Sequence, residues 1–168
     1  MRGVRRRQGL PRRIVLPAEP LVDGSTALRA WRDSDLDPLV AACQDPEISR
    51  WTRVPFPYGR SDARNYLLQR HDALHAGVSA PFAVVRAEDR DQLLGSISLM
   101  RFSWKNDRAE VGYWLAGEAR GEGHMTRAVR LHSRGGPALV HGQQERPGRH
   151  GGVRTARLGC QKLTSSVG

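Results

Sequence analysis

Two cysteines in 168 residues, Cys43 and Cys160, leave no disulfide framework and no pair with metal-ligand spacing. Histidine offers no cluster either. His71 and His75 stand four apart on an expected helix, and a lone pair of this kind is an ordinary surface feature, so no metal is expected. No hydrophobic run approaches the roughly 20 residues of a membrane span. Ile14, Val15 and Leu16 are too few for the apolar core of a signal peptide. The opening MRGVRRRQGLPRR is arginine-rich, but it lacks serine and is interrupted by Pro11, which argues against the amphipathic helix of a transit peptide. These absences point to a cytoplasmic protein with no membrane partner.

The formal charge of +10 suggests nucleic acid until it is divided along the chain. Residues 1–13 hold six arginines and no acid, and residues 131–168 hold five Arg, one Lys and Glu145. The segment between them has 15 basic and 16 acidic residues, so the whole excess sits in the ends. A folded reader of nucleic acid carries its basic stripe on its own surface, so no specific nucleic acid is expected as a partner.

Chemistry concentrates in AEVGYWLAGEARGEGHMTRAVRL, residues 109–131. Val111, Tyr113 and Leu115 alternate with Glu110, Gly112 and Trp114, the period of a strand. Beyond Gly123 the spacing of Met125, Ala128, Val129 and Leu131 is helical. Between them lie Gly121 and Gly123. Glycines before a helix let backbone N–H groups close on an anion, and the unpaired donors of the first turn favour negative charge. A P-loop is excluded because His124 and Met125 follow Gly123 where Lys and Ser or Thr are needed. A dinucleotide fingerprint fits poorly, since Thr126 occupies the place of its third small residue and much of the chain lies upstream. A glycine-containing turn with no ligand remains open on these residues alone.

The whole string resembles the coenzyme A site of the GNAT superfamily of N-acetyltransferases, in particular the branch like the ribosomal-protein-alanine acetyltransferases. There a strand reading roughly E-x-G-Y-W-L runs into R-x-x-G-x-A/G and a helix that opens with Thr, and Arg120, Gly121, Gly123 and Thr126 match. The resemblance implies acetyl-CoA as cosubstrate. Backbone near Trp114 and Leu115 would bind the pantetheine arm, and the amides from Gly121 through Glu122, Gly123, His124 and Met125 to Thr126 the diphosphate. Arg120 would add a charge-assisted donor. Met125 stands where the family has Ala or Gly, and Glu122 puts a carboxylate in an anion-binding loop, so both should weaken coenzyme binding.

The remaining pattern agrees with that fold class. A strand is expected over Ser25–Arg32, then a helix capped by Asp33 or Ser34 and ended by Pro46. TRVPFPYGR (52–60) reads as loop, and the resemblance implies that Trp51, Phe56 and Tyr58 near it help line an acceptor site; simple packing onto the core is the competing reading. A second helix starts at Ser61, with Ala63, Leu67, His71 and Leu74 on one face, and stops at Gly77. Three antiparallel strands follow, near 82–86, 93–100 and 109–115, joined by short polar connections. The expectation is an α/β (α+β) domain: a mixed, mostly antiparallel GNAT-like sheet flanked by helices, with the C-terminal part incomplete.

From residue 131 the composition changes, with eight glycines, no Asp and no aromatic residue in 38 positions. Three regions are therefore expected: a basic disordered extension (1–20), an acetyltransferase-like domain (21–131) and a low-order basic tail (132–168). A reading frame shifted near residue 131 would produce such a tail. It would also leave the 109–115 strand as an open edge, which favours a homodimer.

For acetyl transfer the carbonyl needs polarising donors, supplied by strand amides near Trp114 and Leu115 if a bulge at Gly112 exposes them. Glu110 is the candidate base, directly or through water; the competing reading is a surface carboxylate paired with Arg101 or Arg108. His124 reads as a capping or solvent-facing residue. No tyrosine follows Tyr113 to protonate the leaving thiolate. Two functions follow: an N-acetyltransferase acting on a protein N-terminus or small amine, or a noncatalytic remnant with basic tails.

Overall fold

A computed structural model describes residues 13–103, 108–135 and 138–140. The chain runs β1 (Arg13–Val15), β2 (Leu21–Asp23), β3 (Thr26–Arg29), α1 (Leu36–Ala42), α2 (Pro46–Trp51), α3 (Arg60–His75), β4 (Ser79–Arg86), β5 (Leu93–Ser103), β6 (Arg108–Leu115), α4 (His124–Gly135) and β7 (Ala138–Val140). Strands β2 to β6 form one antiparallel sheet in sequence order, with β6 at its edge among the described residues.

Helices cover both faces of this sheet. On one, Leu39, Cys43, Ile48, Tyr58 and Ala63 from α1 to α3 and the loop before α3 pack with Val85 and Trp114. On the other, Ala128 and the partly buried Met125 and Val129 of α4 pack with Leu28, Phe82, Leu94 and Ile97. The period-two reading of β6 holds, since Trp114 faces the first layer while Val111 and Leu115 face the second. Burial of Cys43 pushes its thiol up to about 12, so it stays a neutral apolar filler.

Several local expectations change. Pro46 opens α2 instead of ending α1: at the first helical position its missing N–H goes unused, and Asp45 caps by accepting from Glu47 N at 2.9 Å. Asp33–Asp35 is a 3-10 turn, after which Asp35 accepts both guanidinium ends of Arg29 at 2.8 and 2.6 Å in the buried core. Residues 13–15 and 138–140, expected in an extension and a tail, pair with each other as a separate antiparallel sheet. Ile14 is buried there with Ala80 and Leu99, which an isolated apolar triplet can do only when a sheet lies beneath it. Residues 1–12, 136–137 and 141–168 of those two regions lie outside the described residues.

Candidate functional site

Between β6 and α4 the chain makes a 3-10 turn (Gly117–Ala119) and then the loop of Gly121 and Gly123, which have φ of 82° and 77°. These left-handed conformations suit glycine and turn the backbone into the first turn of α4. Among the described residues, no hydrogen bond to a protein acceptor uses the N–H of Gly123, His124, Met125 or Thr126. The first turn of α4 therefore keeps unpaired N–H groups, with Gly123 and Thr126 exposed, Met125 half-buried and His124 fully buried. Arg127 folds back over the loop, donating to Glu122 O at 2.8 Å, and its guanidinium lies 3.5 to 3.9 Å from where a Cβ on Gly123 would sit.

The loop is held by His124, which is fully buried where exposure was expected. Its Nδ1 lies 2.8 Å from Thr26 Oγ1 on β3, and its Nε2 lies 3.0 Å from Glu122 Oε2. A carboxylate only accepts, so Nε2 carries the proton, and in the neutral ring Nδ1 accepts from the Thr26 hydroxyl. Arg86 approaches the same Glu122 oxygen at 3.6 Å. The repulsion expected from Glu122 is thus met by an imidazole N–H and a guanidinium. Met125, expected to obstruct by bulk, packs partly against the α4 core layer and also lines the groove. Arg120 is engaged elsewhere, donating to Leu115 O at 2.9 Å and pairing with Asp45 at 2.7 Å.

No bulge occurs at Gly112. The β5–β6 pairing runs unbroken from Gly95↔Leu115 to Met100↔Glu110, and the irregularity falls between Met100 and Ser103, where Arg101 takes φ 51°. A Cβ at Gly112 would meet Met100 Cε at 2.9 Å, so this glycine makes room for a side chain rather than a kink. Ala116 N donates to Leu94 O, and by the alternation of antiparallel pairs Leu115, Tyr113 and Val111 turn their N–H and C=O outward. Trp114 turns its own toward β5. Of the two expected strand amides, the one at Leu115 faces the open edge.

A groove of about 1280 Å³ runs from Trp114, Leu115 and Met125 along β6 to Glu110, walled opposite by α3 and the loop before it. Glu110 shares its sheet face with Gly112 and Trp114 as expected, and Arg101 donates to it at 2.8 Å across an exposed pair. Tyr66 OH lies 2.9 Å from Ser96 Oγ on the groove floor. Tyr58 is buried in the wall, while Trp51 and Phe56 stay exposed, so packing claims one of the three aromatics. Burial raises the phenol pKa of both Tyr58 and Tyr66, which keep their protons.

The profile of the acetyltransferase (GNAT) domain family matches residues 26–135. The chain belongs to the GNAT acetyltransferase family. The uncharacterized N-acetyltransferase p20 of Bacillus licheniformis is 26% identical over 111 residues, which are 66% of this chain and 62% of that protein. Among solved structures, the ribosomal-protein-S5-alanine acetyltransferase of Vibrio fischeri is similar with a TM-score of 0.57 at 19% identity, covering 67% of this chain and 64% of that one. RimL, a ribosomal L7/L12 α-N-protein acetyltransferase in complex with coenzyme A, is similar with a TM-score of 0.54 at 18% identity, covering 67% and 64%. The chain thus spans less than two thirds of the length of these relatives.

Within the GNAT domain, sequence reading missed Arg127 and Arg86 at the loop. Arg127 had a legible signal, since it lies one turn into α4 from Gly123. Arg86 had none, because a β4 residue reaches the loop only through sheet order. Among the described residues no group of three or more His, Cys, Asp or Glu is placed to hold a metal, and no helix is long and apolar enough to cross a membrane.

Proposed function

We propose that the protein transfers an acetyl group from acetyl-CoA to a primary amine, with a protein N-terminus as the favoured acceptor. The observation that carries this reading is the set of unpaired N–H groups of Gly123, Met125 and Thr126 at the start of α4, beside the groove end lined by Leu115 and Met125. Such a cradle suits a diphosphate, and the Arg127 guanidinium beside it adds positive charge. His124 and Arg86 take up the charge of Glu122, so the loop accepts an anion. The outward N–H of Leu115 and the outward N–H and C=O of Tyr113 offer the pantetheine arm strand-like partners, the Leu115 carbonyl being held by Arg120. The RimL complex with coenzyme A and the ribosomal-protein acceptors named for both structural neighbours support this direction.

The thioester supplies an activated acetyl group. The amine nitrogen forms a bond to the carbonyl carbon, the C–S bond breaks, and the sulfur leaves with the electron pair as a thiolate that takes a proton from solvent. With Leu115 and Tyr113 beside the pantetheine arm, the outward N–H of Val111, next to Glu110 on the strand, is the donor aimed at the edge where carbonyl charge develops. Glu110 takes the amine proton, directly or through water. Its pair with Arg101 is solvent-exposed and therefore weak, so the carboxylate can release Arg101 to meet an amine. The test is release of free thiol from acetyl-CoA on addition of peptides with free N-termini, with mass spectrometry of the product. A folded protein that binds acetyl-CoA but acetylates no amine would contradict the transfer step.

A further inference from the structure

We propose that the groove selects an acceptor carrying negative charge just behind its reactive amine, an acidic N-terminal segment of a polypeptide, and that Arg70 reads that charge. The inference rests on the acetyl-transfer reading for where the amine lies; the charge argument is independent of it.

The acids lining the groove are already partnered. Glu47 accepts from Arg50 and from the Trp51 indole, Asp62 accepts from the Gly59 N–H, and Glu110 accepts from Arg101. Arg120 is held by Asp45. Among the described residues, that leaves Arg53 and Arg70 in the lining without a carboxylate partner. Asp62 is met only by a neutral N–H and offsets one of these two, so the lining carries a net positive charge of one.

Arg70 is the better placed of the two. Its guanidinium stacks on Tyr66, 4.7 Å from the ring centre, and its Nε is buried with no acceptor. A buried donor without a partner costs free energy until an acceptor arrives. Stacking also fixes the planar fork, so less side-chain freedom is lost on meeting a carboxylate. Tyr66 is itself anchored to Ser96, one α3 turn before Arg70, which sets the height of the guanidinium along the groove.

Position and size agree on the ligand. Arg70 lines the groove end that also holds Met100, Arg101 and Glu110, two strand positions and about 7 Å from Gly112. An extended segment advances about 3.3 Å per residue, so a side chain on its second or third residue reaches that end when its amine lies near Glu110. At about 1280 Å³ the groove is large enough for a short extended segment beside the pantetheine arm.

The experiment uses two peptides with free N-termini and a C-terminal fluorophore, identical except for Asp-Glu or Asn-Gln at the second and third positions. Anisotropy titrations are run on the full chain, Arg70→Gln and Arg70→Lys, with unfolding curves and acetyl-CoA titrations on each. The acidic peptide should bind about 10- to 100-fold tighter than its neutral twin. Arg70→Gln should erase that preference and Arg70→Lys restore part of it, with acetyl-CoA affinity unchanged. Equal binding of the twins, a preference that survives Arg70→Gln, or no binding of either peptide would overturn the proposal. Free glutamate competing as tightly as the acidic peptide would overturn the polypeptide assignment. Acetyl-transfer fails by a different sign, absence of acetyl-CoA binding, so the two failures are distinguishable.

Discussion

Thr26 and His124, 98 residues apart in sequence, share a 2.8 Å hydrogen bond that pins the glycine loop to a central part of the sheet. His124→Ala removes that bond and the one to Glu122, and leaves a cavity at a fully buried position. The expected loss is about 2–4 kcal/mol of unfolding free energy, read from urea denaturation. Glu122, released from the imidazole, should also weaken acetyl-CoA about tenfold by repulsion. Unchanged affinity in a folded variant would separate the pin from the coenzyme loop.

The two arginines near the loop should behave differently. Arg127→Gln is expected to lower acetyl-CoA affinity about tenfold, the loss of one charge-assisted contact, with little change in unfolding. Arg120→Gln should act mainly through the Asp45 pair and the Leu115 carbonyl, costing stability more than affinity. Calorimetric titration of both variants checks the order, and a reversed order would return the diphosphate contact to Arg120.

Glu110→Gln keeps shape but cannot take a proton. Turnover should fall about 10²- to 10⁴-fold while acetyl-CoA affinity stays within a factor of two or so. Steady-state kinetics with a saturating amine reads this directly. Undiminished turnover would leave Glu110 as a surface partner of Arg101.

Acid should loosen the α4 face. His132 is buried against Phe82, ring centres 5.2 Å apart, and burial lowers its pKa from the ordinary 6.5. The unfolded chain therefore binds a proton first as the pH falls. The His132 contribution is intact above about 6.5 and is lost progressively from there down through the lowered folded value. Urea midpoints at pH 7.5 and 5.5 should differ more for the native chain than for His132→Leu, in which this group cannot titrate.

The alternation in β6 and the switch to helical spacing after Gly123 were legible because each is a local periodicity. The antiparallel order was legible because short polar connections permit little else. His124 was misjudged because its partners, Thr26 and Glu122, meet only when β3 lies beneath the loop, and no local pattern records that. Gly112 suggested a bulge, yet it pairs regularly with Ser98, and the space of its missing Cβ is taken by the Met100 methyl. Ile14 looked stranded in a basic extension, and only its burial with Ala80 and Leu99 explains its place. Arg70 carried no signal in the sequence, since its place over Tyr66 is set only by the fold.

The central claim is that the unpaired amides of Gly123, Met125 and Thr126 grip the diphosphate of acetyl-CoA. Isothermal calorimetry of the folded chain with acetyl-CoA tests it most directly, using Gly123→Ala as the comparison, since a Cβ at φ 77° strains the loop. One site of micromolar affinity, weakened at least severalfold by that substitution, is the expected result. A folded chain that releases no heat, or a variant that binds as tightly as the parent, would contradict it.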